Sequence, residues 1–136
     1  RLDEIQAALL SVKLRHYLEL RNERACIAQE YLNQINNPLI ELPRIRPGAE
    51  HVWHLFVIRS NFRDRLQKYL AEHQIGTGIH YPIPPHLSGA YSYLNYAVGD
   101  FPVTELYADT SLSLPLYEGM TKDQIEYVIE TLNRFK

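Results

Sequence analysis

The sequence predicts a small α/β domain of α+β character: a long N-terminal helix, three short, mostly antiparallel strands, and further helices packed on the sheet. Three observations predict it. Residues 2–36 hold no glycine or proline and repeat apolar positions every three or four residues. Three short apolar runs, 51–59, 77–81 and 112–114, are bounded by turn-forming or capping residues. Helical patterns lie between and after them, so helices and strands alternate along the chain. At 136 residues the chain can build one domain with its own core.

The first helix places Leu2, Ile5, Leu9, Val12 and His16, then Ala25, Ala28, Leu32 and Ile35, on one stripe. Unbroken, it exceeds 30 residues, roughly 50 Å at 1.5 Å per residue. Such a helix overhangs the core of a small domain and needs another domain or subunit to pack on. Asn36-Asn37-Pro38 stops it. His51–Arg59 is apolar on both alternating faces and reads as a central strand. Ser60-Asn61 offers an N-cap to a helix with Phe62, Leu66, Tyr69 and Leu70 on one stripe, and Gly76 follows its end. Thr77–Tyr81 forms a second strand, ended by Pro82, Pro84 and Pro85. Tyr91–Tyr96 reads as a short helix and loop. Asp100-Phe-Pro102 is an N-cap with a first-turn proline for a helix reaching about Ala108. Leu112-Ser-Leu114 is the third strand. Thr121 and Gln124 form a capping box for a last helix that buries Ile125, Val128, Ile129 and Leu132.

Composition narrows the function. The net charge is −2 with both signs interspersed, which argues against a nucleic-acid or membrane-surface partner. The lone Cys26 excludes a disulfide framework and a zinc cluster, and fits a reducing cytosol. No apolar run reaches the roughly 20 residues of a membrane span, and no signal peptide is visible. The chain enters a helical pattern at once and lacks an initiator methionine. It is expected to be a fragment, the alternative being a processed small protein.

Phosphate-cradling glycine loops, HExxH, GxSxG and CxxC are all absent. His51 and His54, three apart in the expected strand, point to opposite faces and cannot share a metal. His54 is expected to serve the core or a hydrogen bond. His80 and Tyr81 stand where a strand gives way to a proline-stiffened loop. An imidazole beside a phenol can donate to anionic oxygens such as phosphate. A rigid surface turn with half-buried aromatics is an equally good reading of the spacing. Arg1 at the leading end of a helix opposes the macrodipole, so it either serves an anion or frays into solvent. Lys13, Lys68, Lys122 and Lys136 all sit among polar neighbours on helix surfaces or at the terminus, a poor setting for a Schiff-base lysine.

Four blocks carry a resemblance: Arg1-Leu-Asp-Glu-Ile-Gln-Ala-Ala8, His51-Val-Trp-His-Leu-Phe-Val-Ile-Arg59, Gly78-Ile-His-Tyr-Pro-Ile-Pro-Pro-His86 and Leu112-Ser-Leu-Pro115. In this order they resemble the DegT/DnrJ/EryC1/StrS aminotransferases, and the third block looks most like members acting on dTDP-linked 3-keto-6-deoxyhexoses. The resemblance implies that residues 1–136 are the C-terminal small domain of an aspartate-aminotransferase type I fold, the catalytic large domain lying upstream. It implies a cytoplasmic homodimer that uses pyridoxal phosphate to move an amino group from glutamate to a keto sugar on a nucleotide diphosphate. Arg1 matches the arginine of the family's Gly-x-Asn-x-Arg block, and His80 and Tyr81 match its His-Tyr pair. All three are implied to be substrate-binding residues near the diphosphate. The cofactor lysine belongs to the upstream domain, so the resemblance implies no catalytic residue, no bound cofactor and no independent activity in this chain. The rival expectation is a stand-alone small-molecule-binding or dimerisation module.

Overall fold

The computed structural model describes residues 2–136. Its first helical stretch is two helices, not one. α1 (Glu4–Arg15) ends at His16, and α2 (Tyr17–Gln34) starts beside it. Asp3 caps α1 by accepting from the Ile5 N–H at 2.8 Å. His16 leaves helical geometry at φ −102°, ψ 8°, and its N–H turns back to the Lys13 and Leu14 carbonyls. The expectation of one unbroken helix is corrected. Tertiary packing fixes only the second half: α2 buries Ile27, Ala28 and Tyr31, whereas α1 buries nothing. The stripe expected to be covered is open, with Leu2, Ile5, Leu9 and Val12 between 54% and 73% exposed. Among the described residues no element covers it.

The end of α2 is locked to the end of the last helix, α5 (Lys122–Arg134). Asn133 Nδ2 donates to the Gln34 carbonyl, and the Asn36 N–H donates to Asn133 Oδ1. The buried Asn37 amide donates to the Leu132 and Phe135 carbonyls at 2.7 and 2.8 Å, and its oxygen accepts from the Leu39 N–H. These bonds satisfy carbonyls that both helix ends leave unpaired. The predicted capping box opens α5, with the Gln124 N–H on Thr121 Oγ1 and the Thr121 N–H on Gln124 Oε1. Of its expected stripe, Val128, Ile129 and Leu132 are buried and Ile125 is half-buried.

Two strands form the sheet, β1 (Phe56–Arg59) and β2 (Ser111–Leu114), antiparallel with Phe56 opposite Leu114 and Arg59 opposite Ser111. Single-residue bridges extend it on both sides, Glu41 to Arg59 and Gly78 to Ser113. The expected first strand is thus shortened and the expected strand 77–81 shrinks to one bridge. Trp53 explains the first change. It adopts φ 49°, which breaks the alternation, and its ring stacks on Phe56 at 5.4 Å. Arg24 then takes the Trp53 and His54 carbonyls, which a longer ladder would have used. His51 and His54 therefore lie outside the strand. Of the core or hydrogen-bonding role expected for His54, the core part is corrected: the residue is exposed, and its carbonyl accepts from Arg24. In the second case, His80 turns its ring back toward Ser113 just after the bridge, and Pro82 has no N–H to continue pairing.

Helix α3 (Arg63–Glu72) starts later than expected. Ser60 Oγ accepts from the Phe62 N–H, closing a turn before the helix rather than capping it. Leu66 and Leu70 are fully buried, but Phe62 is exposed under the Arg65 guanidinium. Gly76 follows the end as expected, and Gln74 takes the left-handed position there. The Gln74 N–H reaches the Ala71 carbonyl and the Ile75 N–H the Leu70 carbonyl. Short 3₁₀ turns cover Pro85–Leu87 and Gly89–Leu94. Helix α4 (Pro102–Thr110) has its first-turn proline, but Asp100 is not its cap. Asp100 accepts from the Ala97 N–H, and Glu105 reaches back to the Phe101 N–H instead.

One core cluster joins α2, both strands, α3 and α5 around Tyr31, Phe56, Ile58, Leu66, Leu70, Leu112 and Leu132. Burial pushes the Tyr31 phenol well up, aided by Tyr117, and its hydroxyl donates to the Pro115 carbonyl at 2.9 Å. Among the described residues no helix is long and apolar enough to cross a membrane. Leu70→Ala is expected to cost ~2–5 kcal/mol in urea unfolding. Leu9→Ala, on the open face of α1, should stay within ~0.5 kcal/mol.

Candidate functional site

Alternation in β2 sorts its side chains. Leu112 and Leu114 share one face and join the core, so Ser113 faces the other way. Ser113 pairs its backbone with Gly78 in both directions, N–H to carbonyl at 2.7 Å and carbonyl to N–H at 3.1 Å. Its hydroxyl lies 2.9 Å from His80 Nδ1. A Cβ on Gly78 would stand 2.8 Å from His80 Cε1, so only glycine leaves room for the imidazole here. The ring is thereby oriented with its Nε2 edge directed away from Ser113. When the Ser113 hydroxyl donates to Nδ1, Nε2 carries the proton and can donate outward.

Tyr81 follows at 76% exposure, its ring edge-on to His80 at 5.6 Å between centroids. The structure therefore brings His80 and Tyr81 together as a surface pair on a sheet edge. Arg1 lies outside the described residues. The four lysines are all exposed: Lys13, Lys68, Lys122 and Lys136. A lysine tuned for a Schiff base needs desolvation or a cationic neighbour. None of these is desolvated, so this chain's own residues do not fit the anchoring of pyridoxal phosphate. Among the described residues no group of three or more His, Cys, Asp or Glu could hold a metal.

A second cluster lies further along the same loop and was not singled out from sequence. His86 Nε2 is 3.0 Å from Glu105 Oε1, and the Glu105 carboxylate also accepts the Gly99 and Phe101 N–H groups. His86 stood in the quoted motif, but its partner is 19 residues away, and no local spacing announces that. Partial burial raises the Glu105 carboxyl, yet the Gly99 N–H, His86 and the Phe101 N–H outweigh it and hold it below its ordinary value. Elsewhere, a cleft of about 690 Å³ opens between α1, α2 and Val52–His54, lined by Leu10, Leu14 and Tyr17 with the Arg24–Glu118 ion pair at 2.8 Å. Arg24 holds the Glu118 carboxyl low.

The chain belongs to the DegT/DnrJ/EryC1/StrS aminotransferase family, whose sequence profile matches residues 1–133. It is 45% identical over 135 residues to the dTDP-3-amino-3,6-dideoxy-alpha-D-galactopyranose transaminase of Aneurinibacillus thermoaerophilus, covering 99% of this chain and 37% of that protein. It is 38% identical over 136 residues to the dTDP-3-amino-3,4,6-trideoxy-alpha-D-glucose transaminase of Streptomyces venezuelae, covering 99% of this chain and 36% of that protein. Its fold superposes on the crystal structure of S. venezuelae DesV with a TM-score of 0.95 at 39% identity, over 98% of this chain and 36% of that one. The chain thus spans little more than a third of the relatives it matches.

The lowered Glu105 carboxyl gives a signed pH expectation. The unfolded chain takes up this proton first as the pH falls, so the stability Glu105 adds is complete above its ordinary value of 4.5. That stability is lost as the pH drops through the lower folded-state value. The Gly99 and Phe101 amide shifts in NMR should titrate below pH 4.5 and lose that inflection in Glu105→Gln. An inflection at or above the ordinary value would contradict the assignment.

Proposed function

We propose that residues 1–136 are the C-terminal small domain of a pyridoxal-phosphate nucleotide-sugar aminotransferase, and that His80, Tyr81 and Arg1 bind the substrate's diphosphate. Family membership, the transaminase names of the relatives and the one-third coverage of their length support this reading. The observation that carries the site is the Ser113 hydrogen bond, which orients His80 beside an exposed Tyr81. An imidazole held by Ser113 and an exposed phenol beside it suit anionic oxygens, and the His80 rotamer need not be reorganised on binding.

The cofactor, when bound in the whole enzyme, supplies the aldehyde that carries an amino group from glutamate to the keto sugar. The lysine anchoring it belongs to the part of the relatives' length that this chain does not span. The contribution of this chain is binding. His80 and Tyr81 grip a non-reacting part of the substrate and so orient the sugar. The open apolar face of α1 packs on the large domain or on the second subunit of a cytoplasmic homodimer.

In the full-length enzyme His80→Ala is expected to raise KM for the nucleotide sugar about tenfold and to leave kcat within about twofold, since uniform binding is what it removes. Steady-state kinetics checks this, and an unchanged KM sinks the diphosphate assignment. Borohydride reduction with pyridoxal phosphate should label no lysine among Lys13, Lys68, Lys122 and Lys136. Stoichiometric label on any one of them, located by peptide mapping, would overturn the placement of the cofactor lysine.

A further inference from the structure

The loop that presents His80 and Tyr81 is held at both ends, and the far end takes no part in the substrate contacts proposed above. At the near end, Gly78 is bonded into the sheet and His80 is bonded to Ser113. At the far end, His86 and Glu105 meet with side chains only 7% and 15% exposed. Between the ends, Pro82, Pro84 and Pro85 fill three of the four positions 82–85. Each has its φ fixed by its ring, so the connection has few soft torsions. Pro84 is buried, and its carbonyl accepts the Leu87 N–H at 3.0 Å. A displacement of His86 is therefore carried along a stiff strut to Tyr81 and His80.

The side-chain hydrogen bond of His86 is to one carboxylate. Glu105 accepts from the Gly99 N–H at 2.9 and 3.0 Å, from the Phe101 N–H at 3.3 Å, and meets His86 Nε2 at 3.0 Å. The Phe101 ring, which follows from the same anchoring, packs on the His86 ring at 4.8 Å. The connecting residues 89–100 are exposed throughout and bring no buried side chain of their own. Their course depends on this hub. The neighbouring carboxylate, Asp100, is engaged with the Ala97 N–H and offers no substitute.

We propose that Glu105 is a positioning residue: acting through His86 and the proline strut, it sets where the His80–Tyr81 pair stands and thereby the affinity for the anionic end of the substrate. The affinity half of this rests on the substrate reading above. The positioning half rests on geometry alone. A carboxylate that gathers donors from two loops makes charge-assisted bonds, stronger than neutral ones, and loses all of them together on truncation.

The test uses the full-length enzyme with Glu105→Ala, Glu105→Gln, His86→Gln and His80→Ala. Glu105→Ala should raise KM for the nucleotide sugar about tenfold with kcat within about twofold. It should also speed deuterium uptake in peptides covering 79–88 and 97–101. Glu105→Gln keeps an acceptor oxygen and should recover most of both effects. His86→Gln should raise KM as Glu105→Ala does, which guards against a variant that merely misfolds. An unchanged KM with faster exchange at 97–101 alone makes the hub a loop anchor and overturns the proposal. So does unchanged exchange at 79–88 in Glu105→Ala. If His80→Ala itself leaves KM unaltered, the substrate reading fails separately, and exchange at 79–88 then decides the positioning of the loop by itself.

Discussion

Ser113 is the residue on which both halves of this structure depend. Its backbone is shared with Gly78 through a reciprocal pair of hydrogen bonds, and its hydroxyl orients His80. Its two chain neighbours, Leu112 and Leu114, point the opposite way into the core. The same strand therefore carries the hydrophobic anchor on one face and the polar anchor on the other. Gly78 completes the arrangement because the imidazole occupies the space a Cβ would need.

The two ends of the chain contrast with each other. The end of α2 and the end of α5 are tied by Asn37, Asn36 and Asn133, which satisfy helix-end carbonyls inside the molecule. Among the described residues α1 has no such ties, and it exposes Ile5, Leu9, Leu10, Val12 and Leu14 to solvent, as Leu2 just before it is exposed. The chain covers 37% of the length of the Aneurinibacillus transaminase it matches, and an apolar face this long fits the packing proposed for it on the rest of such a protein.

His80 and Tyr81 were legible because their side-chain chemistry and a proline-rich context stand next to each other in the chain. The structure then oriented the His80 ring, a feature that spacing had not given. It did so through Ser113, more than 30 residues away. Glu105 was not legible at all. On a helix start it reads as an ordinary solvated carboxylate, and only the return of the 97–101 loop makes it a hub. Asp100 shows the same limit from the other side: it has the cap residue type in the cap position, yet a nearer N–H captured it.

The sequence by itself determined the type and approximate place of most elements, the capping box of α5, most of the buried stripe of that helix and the strand at 112–114. These follow from periodicities and side-chain-to-backbone bonds a few residues long. Tertiary structure decided where β1 begins, that the strand at 77–81 is a single bridge, that the first helix breaks, and which groups hold His80 and its loop. Each of those outcomes turns on a partner remote in sequence: Arg24 on the Trp53 and His54 carbonyls, Ser113 on His80, Glu105 on His86, and the core that fixes α2 but not α1. Local propensity states what a segment can form. Which of its hydrogen-bonding groups remain free to form it depends on what the rest of the chain brings alongside.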